Sequence, residues 1–138
     1  MSTEENKAIC NRIVNSINTG NYAQLGELIA ANAVDHQVPA GMPQTRESGM
    51  QFVQGFHKAF PDLHFTVEFA TGEGDKVYQN VTASGTMRGD FMGMKASNKK
   101  ATWTESHINR LSGGKVVEHW AEVDQVSMLT QLGFMPKM

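Results

Sequence analysis

The stretch SGGKVVEHWAEVDQVSMLTQLG, residues 112–133, contains a turn, a strand and a closing helix in direct succession. Gly113 and Gly114 can both adopt the positive φ that a two-residue type I′ turn requires, so the sequence predicts a β-hairpin here. A two-residue turn sets Ser112 opposite Lys115. The register of the whole hairpin follows from that pair, provided that neither strand contains a bulge.

This register predicts which side chains of the hairpin share a face, because directly opposite residues point to the same side of a sheet. It sets His107 opposite Trp120. One face would carry Trp103, Glu105, His107, Asn109, Glu118, Trp120, Glu122 and Asp124. The opposite face would carry Thr104, Ser106, Ile108, Arg110, Val117, His119, Ala121 and Val123. A bulge would shift the parity and regroup both faces.

The face rich in acids has two interpretations. A two-sided sheet normally exposes its charged face to solvent, so the acids could simply be hydrated. Two indole rings among carboxylates instead favour a ligand cavity, because apolar walls raise the pKa of a carboxylate and suit it to proton transfer. In that interpretation Trp103 and Trp120 form walls of the cavity, and Glu105 and Glu118 face the ligand.

The apolar period changes along the chain from helical to strand-like. Helices are predicted over residues 5–18 and 22–30, and a third helix over residues 46–60, with Thr45 as its N-cap and Pro61 as its stop. From Leu63 onwards, alternating apolar residues predict four strands and a short closing helix. Helices followed by antiparallel strands indicate an α+β fold, and 138 residues fit a single domain spanning 1–138.

The amino-acid composition limits the kinds of molecule that the protein is expected to bind. Twelve Lys and Arg against fourteen Asp and Glu give a net charge of −2, with no long run of either sign, which argues against nucleic acid and membrane surfaces. No apolar stretch approaches the roughly twenty residues of a membrane span. The start MSTEENKAIC lacks the features of a signal peptide, and Cys10 is the single cysteine, so we expect a cytoplasmic protein. A small-molecule or protein partner remains.

Several segments resemble one family. The end of the chain, GGKVVEHWAEVDQVSMLTQLG, is similar to the closing motif of the SnoaL-like polyketide cyclases: a Gly turn, a Glu-His-Trp triplet, an Asp four residues after the Trp, and Gln-Leu-Gly. Upstream, VDHQVPAGMP, AFPDLHFTVE and SGTMRGDFMGMKASNKK resemble segments of that family in the same order. Residues 96–98, Ala-Ser-Asn, depart from the GxxxGxxPTG-type turn of cyclase relatives.

The resemblance implies a fold, a chemistry and a site. The family belongs to the nuclear transport factor two-like superfamily, in which N-terminal helices close a cone of curved, mainly antiparallel sheet around a pocket. Its cyclases close a ring by an intramolecular aldol reaction without metal or cofactor, using an Asp and a His. By position these roles fall on Asp124 and His107, with His36 at the pocket. Relatives of this fold commonly pair through the sheet, which implies a homodimer.

Other candidate residues keep two interpretations each. His36 is either a pocket residue or a hydrogen-bonded structural residue. Residues 88–98 form either a flap that carries Phe91 over the pocket mouth or a long hairpin connection whose apolar residues tuck under the sheet. No metal-binding spacing such as HExxH and no nucleophile elbow occurs, so we expect neither a metal site nor Ser-His-Asp catalysis. The resemblance implies that no cofactor is needed.

The sequence therefore supports two alternative functions. The first is a cofactor-independent acid/base enzyme that cyclises or isomerises a small hydrophobic carbonyl or ester compound, with Asp124 transferring the proton and His107 stabilising an enolate oxygen. The second is a non-catalytic module of the same fold that binds a small molecule or dimerises, since a fold does not decide its function. The apolar side of the hairpin, with Ile108 and Val123, predicts cover by a helix or a partner.

Overall fold

The computed structural model describes residues 2–136 as four helices packed on one mixed five-stranded sheet. The elements in chain order are α1 (Thr3–Thr19), α2 (Tyr22–Leu28), β1 (Ile29–Asp35), α3 (Arg46–Ala59), β2 (His64–Glu73), β3 (Lys76–Thr86), β4 (Lys100–Ser112), β5 (Lys115–Val123) and α4 (Gln125–Leu132). The strand order is β1-β5-β4-β3-β2, with β1 parallel to β5 and the other neighbours antiparallel. The predicted α+β class is confirmed.

The helix boundaries follow from local capping. Helix α3 begins after Thr45, whose side chain accepts a hydrogen bond from the Ser48 amide, and it ends before Pro61, as predicted. Helix α2 ends at Leu28, two residues earlier than predicted. Ile29 is already extended and pairs with Val116 of β5, so strand pairing overrides the helical pattern there.

The predicted turn of the last hairpin is confirmed, but the register beyond it is wrong. Gly113 and Gly114 have φ of 60° and 81°, and Ser112 pairs with Lys115. The pairing then shifts: Leu111 pairs with Val116, whereas Arg110 pairs with Glu118. The residue between them on β5, at position 117, is the extra residue of a β-bulge, and a shift of one residue turns every later side chain to the other face.

The bulge regroups the two faces of the hairpin. We call inner face the side of the sheet that packs on the helices; it carries Trp103, Glu105, His107 and Asn109 together with His119, Ala121 and Val123. The outer face carries Ser106, Ile108, Arg110, Glu118, Trp120 and Glu122. The predicted pairing of His107 with Trp120 is therefore replaced by pairing with Ala121, and His119 lies on the same face as His107.

An aromatic cluster fills the core beside the site. Phe60 is fully buried at the end of α3, and its ring lies 5.2 Å from Phe56 and 5.8 Å from both Phe91 and Trp103. Phe91 is 8% exposed, so residues 88–98 follow the interpretation in which the apolar side chain tucks under the sheet. Within residues 2–136, no helix is long and apolar enough to cross a membrane.

Candidate functional site

A cavity lies between the inner face of the sheet and helices α1 and α3. Its volume is about 110 Å³, several times the space that one water molecule requires. Most of its wall is apolar, including Ile13, Ile17, Met50, Phe52, Phe56 and Phe65. Asp35, Glu105, His107 and His119 also line it. A concave, largely apolar space with a few convergent polar groups is the usual form of a small-molecule site.

These four polar side chains form one hydrogen-bonded series, which we call the acid–histidine chain. Asp35 Oδ1 lies 3.0 Å from His119 Nδ1, and His119 Nε2 lies 2.9 Å from His107 Nδ1. His107 Nε2 lies 2.8 Å from Glu105 Oε1. Trp103 Nε1 donates to the other oxygen of Glu105 over 2.8 Å, which fixes that carboxylate. The series thus runs across the cavity wall from β1 to β4.

Three features of the sequence bring the acid–histidine chain together. Alternation along β4 puts Glu105 and His107 on the inner face. The bulge in β5 turns His119 to that face. Strand β1 runs parallel to β5 with Asp35 paired to His119, so the carboxylate ends beside the imidazole. The two imidazole rings are stacked, with centroids 5.1 Å apart and planes within 15°.

Burial and hydrogen bonds set the charges of Asp35 and His119, at the β1 end of the acid–histidine chain. Burial lowers the pKa of His119 below its usual 6.5; the hydrogen bond that His119 donates to Asp35 opposes this effect, and the charge of His107 adds to it. Burial acts to raise the pKa of Asp35, but the hydrogen bond and charge of His119, together with the Gln37 amide 2.9 Å away, bring it below its usual value. Asp35 is therefore ionised next to a neutral His119.

The number of protons in the chain follows from its geometry. Three hydrogen bonds link four groups in series, and each bond needs one proton. Two ionised carboxylates and two neutral imidazoles supply only two protons. Three hydrogen bonds formed at once therefore require one further proton in the acid–histidine chain. His119 donates from Nδ1 to Asp35, so its Nε2 accepts and His107 Nδ1 is the donor between the two rings.

Two residues predicted for the site line the cavity, a third supports one of them from the core, and the others lie elsewhere. Glu105 and His107 line the cavity, and Trp103 supports Glu105 from the core. Asp124 is exposed and lies outside the cavity lining; it is the N-cap of α4, where its Oδ1 accepts from the Ser127 amide over 3.1 Å. This position leaves Asp124 outside the cavity wall that carries the acid–histidine chain.

His36, Glu118 and Trp120 form a separate group on the outer face. The His36 ring stacks on Trp120 with centroids 5.2 Å apart, and its Nε2 lies 2.8 Å from Glu118 Oε2. Arg110 Nε donates to Glu118 Oε1 over 3.1 Å. The predicted cavity wall at Trp120 depended on a hairpin without a bulge. The bulge turns both Glu118 and Trp120 away from His107.

Sequence reasoning missed two members of the acid–histidine chain, Asp35 and His119. The register without a bulge placed His119 on the wrong face. Asp35 was visible only as the neighbour of His36 in VDHQ, and nothing local showed that its strand would pair in parallel with β5. Among residues 2–136, no group of three or more Cys, His, Asp and Glu side chains is arranged to hold a metal ion.

Comparison with known proteins agrees with the family resemblance. The profile of the SnoaL-like polyketide cyclases matches residues 7–132. The chain is 32% identical to IdmH, a proposed polyketide cyclase from Streptomyces antibioticus, over 93% of this chain and 98% of that one, with a TM-score of 0.82. It is 28% identical to AclR, a proposed hydroxylase from Streptomyces galilaeus, over 98% and 100% of the two chains, with a TM-score of 0.87.

A proposed polyketide cyclase from Bacillus cereus is 26% identical over 99% of this chain and 87% of that one, with a TM-score of 0.82. No significant match is found among curated proteins. The likeness to these structures confirms the nuclear transport factor two-like fold. Because the family profile covers most of the sequence, the chain belongs to the SnoaL-like polyketide cyclase family.

Proposed function

We propose that this protein is a cofactor-independent acid/base enzyme that acts on a small hydrophobic carbonyl or ester compound held in the cavity. The acid–histidine chain in an otherwise apolar wall is the observation that carries the proposal. It offers a proton donor and a proton acceptor side by side, which is what enolisation requires. Enolisation is the first step of both aldol cyclisation and isomerisation, and the likeness to a proposed cyclase at 32% identity favours cyclisation.

The proposed step conserves the protons of the chain. A ligand carbonyl that displaces the His107–His119 hydrogen bond meets a donor at His107 Nδ1 and an acceptor at His119 Nε2. His119 removes the α-proton, the electrons of that C–H bond form the C=C bond of the enol, and His107 protonates the carbonyl oxygen. One proton leaves the acid–histidine chain and one enters it, so its net charge is unchanged. Asp35 holds His119 in the tautomer whose Nε2 is free to accept.

The Glu105 end of the acid–histidine chain orients the proton donor, and the apolar wall surrounds the reacting atoms. Glu105 holds the His107 ring through Nε2 and is itself fixed by Trp103, so the donor ring keeps its orientation. The apolar wall excludes water around the reacting atoms, which strengthens the electrostatic interactions between the rings and the developing enol. A ligand with an extended apolar part would fill the remaining space beside Phe52 and Phe56.

The test is deuterium uptake from D₂O into the α-carbon of hydrophobic ketones and β-keto esters, followed by NMR together with any ring-closed product. We expect the wild-type protein to exchange at least one of these compounds faster than buffer. Asp124→Asn should keep the wild-type rate, because Asn caps a helix as well as Asp does. A loss of exchange in Asp124→Asn would return the acid/base role to that residue. Compounds that bind but never exchange would support a binding module instead.

We also propose that the protein is a homodimer that pairs through the outer face. The apolar surface predicted from the sequence is corrected by the bulge: Ala121 and Val123 turn inwards, and Val123 packs against the core. Ile108 instead pairs with Trp120 on the outer face and is 37% exposed. An aliphatic side chain and an indole in register on an open sheet face suit a second copy of the same surface.

Sedimentation at micromolar concentration tests the dimer. We expect the wild-type chain to sediment as a dimer and Ile108→Glu to sediment as a monomer, because the added carboxylate would be desolvated in the interface. Val126→Glu is the matched control, since Val126 is 50% exposed on α4 and should leave the dimer intact. A monomeric wild-type chain, or an Ile108→Glu variant that stays dimeric, contradicts this pairing.

A further inference from the structure

We infer that Gly49 is a positioning residue, kept small so that the Asp35 carboxylate can reach His119. The structural part of this inference stands on contacts between α3 and β1. Its catalytic consequence rests on the proposed function. Gly49 lies within α3, where glycine disfavours the helix relative to alanine.

The start of α3 is attached to the end of β1. Val34 and Thr45 form an isolated antiparallel bridge, and the Asp35 amide donates to the Gln44 carbonyl over 3.2 Å. These contacts place the first turn of α3 directly against the Asp35 side chain. A Cβ added to Gly49 would lie 3.3 Å from Asp35 Cγ and 3.7 Å from its Cβ, and would overlap its Oδ2. The carboxylate therefore occupies the space that any other residue would need.

The Asp35 carboxylate cannot move aside without losing its partners. Its Oδ1 accepts from His119 Nδ1 at 3.0 Å and from the Gln37 amide at 2.9 Å. Rotation of the side chain away from a new Cβ would lengthen both hydrogen bonds. His119 would then lose the acceptor that fixes its tautomer, and its ring would no longer be held against His107. Gly49 thus acts on His119 through Asp35.

A second glycine of the same helix provides a matched comparison. A Cβ added to Gly55 would meet nothing within 4 Å, so alanine is free to replace it. Gly55→Ala should raise Tm by about 3 °C through helix propensity alone. It should leave both deuterium exchange and the His119 ring resonances at their wild-type values.

Gly49→Ala should behave differently in three measurements. The gain in Tm seen with Gly55→Ala should be absent. The ¹⁵N and ¹H resonances of the His119 ring should show loss of the single tautomer with a proton on Nδ1. Deuterium exchange on a compound turned over by the wild type should fall by about 10²-fold, because the base is misplaced. A purely structural role of Gly49 would not change the tautomer of His119.

Removal of the Asp35 carboxylate separates this inference from general disruption of α3. In an Asp35→Ala background the overlapping oxygen is gone, so adding Gly49→Ala should raise Tm as much as Gly55→Ala does. The inference is overturned if Gly49→Ala raises Tm in the wild-type background, or if it leaves the His119 resonances unchanged. These readouts need no substrate, so a failure of the proposed function would leave the Gly49 result intact and distinguishable.

Discussion

His119→Gln is expected to lower the rate of α-deuterium exchange by about 10² to 10⁴-fold, the usual loss when a positioned acid or base is removed. Glutamine fills a similar space and can still accept a hydrogen bond, but it does not accept a proton at neutral pH. His107→Gln should cause a loss of the same order, because it removes the donor for the carbonyl oxygen. NMR of the substrate measures both rates, and circular dichroism verifies that each variant remains folded.

The matched control for both variants is His64→Gln. His64 is exposed at the start of β2 and does not line the cavity, so its loss should leave the exchange rate unchanged. The double variant with both cavity histidines replaced should be no slower than the slower single variant, because the two rings act in one step. Wild-type exchange in His119→Gln would exclude His119 as the base.

Phe60→Ala should destabilise the protein by about 3 to 5 kcal/mol, which is the range for truncating a buried aromatic residue. The ring is fully buried, lies against Phe56 and Trp103, and packs on Gly85, where an added Cβ would come within 3.0 Å of the ring. Because these neighbours are already closely packed, they would leave the space of the missing Phe60 ring unfilled. Urea unfolding followed by tryptophan fluorescence measures the change in the unfolding free energy.

Phe69→Ala is the corresponding control on the surface. Phe69 is 56% exposed on β2, so its truncation removes little buried area, and a change below about 1 kcal/mol is expected. If the two variants were equally stable, the aromatic cluster around Phe60 would not be the main source of packing energy. A shift in the urea midpoint without a change in slope would show that the denatured state is unaffected.

Most of the fold could be predicted from the spacing of apolar residues and from the residues that begin and end helices and turns. The spacing of Ile9, Ile13 and Ile17 on α1, and the Thr45 cap and Pro61 stop of α3, are local signals, and the structure follows them. The two-glycine turn likewise fixed the first pair of the last hairpin. The parallel pairing of β1 with β5 could not be predicted, because it joins segments far apart in sequence without a local mark.

The site was predicted only on the strand where alternation is unbroken. Glu105 and His107 lie on β4, whose inner and outer residues alternate regularly through this region, and sequence reasoning placed them together correctly. His119 lies beyond the bulge, where parity alone assigns the wrong face. A bulge after a regular turn has no compositional signal in VVEHW, since it arises from how β5 meets β1 and β4 together.

The bulge at position 117 makes the chemistry of the inner face a matter of strand pairing rather than of residue type. The same nine residues of β5 encode two alternative cavity walls. With the bulge, His119, Ala121 and Val123 face the helices, and His119 lines the cavity. The same sequence paired without a bulge would turn Glu118, Trp120 and Glu122 to that face, so two carboxylates and an indole would replace one imidazole and two apolar side chains. The way in which this strand meets its neighbours therefore decides which of two sets of side chains the cavity receives, without the change of a single residue.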